Sequence, residues 1–157
     1  MKKIIFYIAA LFLIECCTQA PDFSEVPAIS FVSMSRNTMK QSKFPTDSIR
    51  VVFSFQDGDG DINIKDSANV FIIDKRQNAL QEQYVIPMVP KLGSNKGISG
   101  EISITIHTTC CLPPNGKPCE KLVDFPRDSL VYQIYIKDKA GNKSNVIETK
   151  PVFLDCK

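Results

Sequence analysis

Three aspartates spaced two apart, Asp57, Asp59 and Asp61, alternate with Gly58 and Gly60. Carboxylates at this spacing in a glycine-rich turn can converge on one hard cation, because glycine lets the backbone turn sharply and the oxygens face inward. Calcium takes about six to eight oxygens, so the turn needs ligands from elsewhere. The same residues have a plainer use, since Asp-Gly pairs are ordinary turn formers. Three carboxylates this close repel one another without a cation, which weighs toward a metal, but the plainer turn reading stays slightly ahead and both remain open. Enzymatic chemistry finds little support. The single histidine, His107, falls on the polar phase of an alternating stretch and is expected to face solvent. An acid pair for glycoside hydrolysis could be drawn from Asp57–Asp61, but the turn has no aromatic platform nearby and the chain has no Trp. No Ser/His/Asp or Cys/His arrangement has local support, and a non-catalytic protein is expected.

The elements that must position these residues read as β structure. Ile49, Val51, Phe53 and Phe55 alternate with Arg50, Val52, Ser54 and Gln56. Ile102, Ile104 and Ile106 alternate with Ser103, Thr105 and His107, and Leu130, Tyr132, Ile134 and Ile136 with Val131, Gln133, Tyr135 and Lys137. Period two with one apolar face marks a half-buried strand. Shorter candidates bring the predicted strands to 29–34, 49–56, 70–74, 84–89, 98–108, 130–137 and 146–154. Pro151 suits an edge or a bulge within the last of these. No window shows an amphipathic helix. The expectation is an all-β protein, a single sandwich of about seven strands over residues 28–157.

The strand order resembles an immunoglobulin-like arrangement. Asp128-Ser129-Leu130-Val131-Tyr132 resembles the tyrosine-corner entry to the penultimate strand, and Asp138-Lys139-Ala140-Gly141-Asn142-Lys143-Ser144 resembles a turn common in bacterial Ig-like and fibronectin-III-like modules. The antibody-type inter-sheet cysteine is replaced by Ile134. The resemblance implies a fold and no reaction. It also implies that the loop after 49–56, with Asp57, Asp59, Asp61, Asn63 and Asp66, shares one pole with the loop carrying Asp138, Asn142 and Asn145. A calcium site drawn from both loops follows, chiefly Asp57, Asp59, Asp61, Asp66, Asp138 and Asn142. The turn resembles calcium loops only in part. An EF-hand needs glycine at its sixth place and glutamate at its twelfth, where this chain has Ile62 and Ala68.

The N-terminus sets the address. Lys2 and Lys3 precede an unbroken apolar run of 11 residues, Ile4 to Ile14, followed by Glu15, Cys16 and Cys17. A spanning helix needs about 20 residues, so the run reads as a cleaved signal. It resembles a bacterial lipoprotein signal peptide over 1–16, with a lipidated tether over 17–27. The acylated residue is Cys17, with Ile14 three before it and Cys16 just before it, or Cys16, with Leu13 and Glu15 in those places. An exported chain with four further cysteines, Cys110, Cys111, Cys119 and Cys156, reads as disulfide-bonded. Joining the neighbours Cys110 and Cys111 strains the backbone, so one of them pairs with Cys119 and the other with Cys156. In the Ig-like order all four cysteines fall at the pole opposite the aspartates. Without residues 1–16 the chain has 17 Lys+Arg and 16 Asp+Glu, a net charge of +1, which is no footprint for nucleic acid.

Taken together, the expectation is a small outer-membrane lipoprotein, on either its periplasmic or its surface face. It would be a non-catalytic interaction or accessory module with calcium stiffening one pole, and an unidentified protein of the envelope as partner. It looks like small lipoproteins of Gram-negative envelopes sharing an F-x-D-G-D-G-D strand end. The alternatives are a glycan-binding module for nutrient capture, disfavoured by scarce aromatics, and a hydrolase using the aspartate pole. The proline-rich loop Leu112–Pro118, pinned by cysteines, reads first as a structural loop; as a contact surface it would lose little entropy on binding.

Overall fold

The computed structural model describes residues 22–63, 67–87 and 97–157. Cys16, Cys17 and Asp66, and the end of the predicted strand 84–89, lie outside the described residues. Among the described residues ten strands follow one another: β1 (Ala28–Met34), β2 (Thr38–Lys40), β3 (Ser48–Asp57), β4 (Val70–Asp74), β5 (Ala79–Tyr84), β6 (Ile98–His107), β7 (Arg127–Leu130), β8 (Tyr132–Ile136), β9 (Ile147–Glu148) and β10 (Val152–Asp155). Among the described residues there is no helix. The protein is an all-β sandwich.

One layer is the antiparallel sheet β1-β3-β6. The other is built from β5-β4-β8-β9 and β2-β10-β7, joined end to end where Val131 links β7 to β8 and residues 149–151 link β9 to β10. Alternation explains the layering. Ile49, Val51, Phe53 and Phe55 of β3 are buried while the residues between them are not. They meet Val70, Ile72, Tyr132, Ile134, Ile136, Val152 and Leu154 of the second layer in a single core. A one-residue slip would turn either set to solvent, so the pattern fixes register as well as fold.

Four details differ from the sequence reading. Strand 130–137 begins earlier and is interrupted at Val131, giving β7 and β8. Strand 146–154 is broken before Pro151, whose missing N–H cannot continue the ladder. The strand expected at 84–89 lies instead at β5. It is an edge strand of sequence ALQEQY, too polar to show an apolar phase, and it follows a tight turn with Asn78 at φ 50°. Ile86, beyond its end, is buried as a plug, and its N–H is held by Asn69 Oδ1 at 2.7 Å. The three-residue β2 was not expected. It pairs in parallel with β10 and is too short to carry a periodic signal.

The two ends of the sandwich are distinct. At one, Cys110 is bridged to Cys119 and Cys111 to Cys156, so the bridges follow one of the two connectivities left open above. At the other, the turn after β3 meets the loop after β8.

Candidate functional site

The acidic end is assembled from two loops that the sheets bring together. β3 ends on Asp57, which is completely buried. The chain then turns through Asp59 to Asp61, and the N–H of Asp61 donates to Asp57 Oδ2 at 3.0 Å and to Asp59 Oδ1 at 3.2 Å. Asp61 is tied to the β8–β9 loop. Its carbonyl accepts from Lys139 N at 3.1 Å and its Oδ2 from Ala140 N at 3.2 Å. Ligand oxygens of Asp57, Asp59 and Asp61 all lie within 4.8 Å of one another. Among the described residues the buried oxygens Asp57 Oδ1 and Asp61 Oδ1 have no hydrogen-bond partner, a costly state for carboxylates unless something else meets them.

Electrostatics match the geometry. Burial first, then the charge of Asp59, pushes the Asp57 carboxyl up from 3.8 to about 6, with Asp61 and Asp138 adding to the rise. Burial also raises Asp61, followed by the charges of Asp138 and Asp59. Four carboxylates thus act on one another across the two loops, as the Ig-like order implied for Asp138. The fifth expected acid, Asp66, lies outside the described residues.

The asparagines have other work. Asn142 is turned toward Asp138, donating its backbone N–H to Oδ1 at 2.7 Å and its side-chain amide to Oδ2 at 2.8 Å. It aims that carboxylate. Asn145 clips the first strand, with Oδ1 accepting from Ile29 N at 2.8 Å and Nδ2 donating to Ile29 O at 2.9 Å. A partner 116 residues away left no trace in the local sequence.

Elsewhere, the alternation placed His107 toward solvent. It is partly exposed, with Nδ1 3.3 Å from Glu82 Oε2 and its backbone N–H donating to Glu82 Oε1. Phe71 and Tyr135 stack at 5.0 Å, with Lys137 over the first ring and Lys143 over the second. Sequence reasoning missed Arg76. Its guanidinium pairs with Asp74 at 2.6 Å and Asp128 at 2.5 Å and donates to Cys110 O at 3.2 Å, while Asp128 Oδ2 also accepts from Leu112 N. This network seats the cysteine loop. It also gives Asp128 a role different from the resemblance to a tyrosine corner, since the buried Tyr132 hydroxyl finds no partner among the described residues.

No family model, curated protein or solved structure matches the chain, so the site rests on its own geometry.

Proposed function

We propose that the protein is a lipid-anchored envelope protein whose sandwich is a non-catalytic binding or accessory module, with a calcium ion holding its acidic end together. The observation that carries the cation is the pair of buried oxygens, Asp57 Oδ1 and Asp61 Oδ1, that have no hydrogen-bond partner among the described residues and lie inside a three-carboxylate cluster. An all-oxygen, multiply acidic set on two turns suits calcium better than zinc, which prefers nitrogen and sulfur donors, or magnesium, which demands near-ideal octahedral geometry. Asp57, Asp59, Asp61 and Asp138 would hold the ion, and Asn142 would orient Asp138. A bound divalent charge would offset the repulsion among the four.

The opposite end is where a partner would be sought. There Phe44 and Val123, 70% and 99% exposed, project from loops beside the disulfides. Single exposed apolar side chains are ordinary on protein surfaces, so these two are positions to test and do not carry the reading. The anchor follows from the cysteines after the signal-like segment and from nothing in the sandwich.

Titration calorimetry of the full-length chain in detergent tests the cation. Calcium should bind to the wild type, bind far more weakly to Asp59→Ala, and outcompete magnesium. A calorimetric trace indistinguishable from buffer would refute the reading.

A further inference from the structure

The segment that leads into β1 lies directly on the acidic turn. Gly58 N donates to Ser24 O at 2.8 Å, and Gly97 N donates to Gly58 O at 2.8 Å. A Cβ on Gly58 would stand 2.3 Å from Phe23 O and 2.7 Å from the carbonyl of Ser24. One on Gly97 would stand 2.6 Å from Cδ2 of the Phe23 ring and 2.9 Å from Asp57 O. Only glycine permits so close an approach. A few residues on, Pro27 is buried, and both backbone groups of Ile29 are held by Asn145. Each of the two loops that carry the carboxylates therefore also grips the stretch 23–29.

We propose that Phe23 and Ser24 are positioning residues for the cation site, closing over Gly58 and fixing the turn in the shape in which its carboxylates converge. This rests on the calcium reading. A turn with glycine at two of five positions has many conformations, and mutual repulsion favours those that splay Asp57, Asp59 and Asp61 apart. Convergence is already present here, with Asp57 wholly buried and its Oδ1 without a hydrogen-bond partner among the described residues. The segment 23–29 holds that state, so a cation meets a competent site and loses less affinity to ordering. Linkage makes the effect reciprocal: whatever docking adds to affinity, calcium adds to docking.

Calcium titration of the full-length chain in detergent, for wild type, Phe23→Ala and Phe23→Leu, tests this together with amide exchange of Ser24, Glu25 and Val26 in the wild type. Phe23→Ala should weaken calcium binding about 5- to 20-fold and Phe23→Leu should restore most of it. The unfolding midpoint in chelator should stay near that of the wild type, which separates positioning from loss of fold. Calcium should slow exchange of the three amides in the wild type. An unchanged affinity in Phe23→Ala, or exchange indifferent to calcium, overturns the role of the segment while leaving the calcium site intact. A wild type that binds no calcium overturns both. Should Phe23→Ala fail to fold, the wild-type exchange decides alone.

Discussion

Asp57 is the residue on which the chemistry turns. A carboxyl raised from 3.8 to about 6 binds its proton more tightly in the folded state than in the unfolded one. Stability from this group is therefore complete below about pH 4 and lost as pH rises through 6. In chelator, the midpoint of thermal unfolding should rise as pH is lowered from 7 to 5, and Asp57→Asn should flatten that dependence. Calcium competes with the proton, so its affinity should increase from pH 5 to 7. A wild type and an Asp57→Asn variant with identical pH profiles would remove Asp57 from the account. Arg76 supports the other end. It is 13% exposed on its side chain and serves two carboxylates and a carbonyl. Arg76→Ala should cost about 3 kcal/mol in urea unfolding, because it leaves buried charge unpaired; a loss below about 1 kcal/mol would show that solvent takes its place. The aspartates were readable from spacing alone. Arg76 was not, because its partners are brought near only by the hairpin turn between β4 and β5 and the entry to β7.

Elements carry the legible part of the fold. β3 could be read residue by residue because one face is fully buried and the other is not, so composition alternates with the pleat. β5 could not, being a polar edge, and β2 was too short. The convergence of Asp138 on Asp57 and Asp61 was readable only through the Ig-like order, which places their loops at one end. The use of Asn145 as a clip for β1 needed coordinates. The two disulfides differ in what they constrain. Cys111–Cys156 closes a span of 45 residues and ties the β6–β7 loop to the end of β10, whereas Cys110–Cys119 closes only 9. Chain entropy gives about 4 kcal/mol for the first and about 2.5 kcal/mol for the second. Urea unfolding of Cys111→Ala/Cys156→Ala and of Cys110→Ala/Cys119→Ala should show that order; the reverse order would mean that native contacts, not loop closure, set their value.

At the scale of the whole molecule, the sandwich separates two specialised ends. The acidic end adjoins the chain's N-terminal segment, through Phe23 and Ser24 on Gly58. The cysteine end, with Phe44 and Val123 exposed, faces away from it. On the proposed reading, the candidate cation site lies at the end that residues 23–29 adjoin, and Phe44 and Val123 lie at the other. Labelled fatty acid supplied to an expressing Gram-negative host should enter the wild type and Cys16→Ser but not Cys17→Ser. Label retained in Cys17→Ser would move the lipid to Cys16, and label absent from the wild type would remove the anchor. The most direct test of the central claim is thermal unfolding of the full-length chain in detergent, first with calcium and then with excess chelator. At a hundred times its dissociation constant, calcium should contribute about 2.7 kcal/mol, a rise in midpoint of about 5–10 °C for a domain of this size, absent in Asp59→Ala. An identical midpoint in calcium and chelator would contradict the account and leave Asp57–Asp61 as a turn.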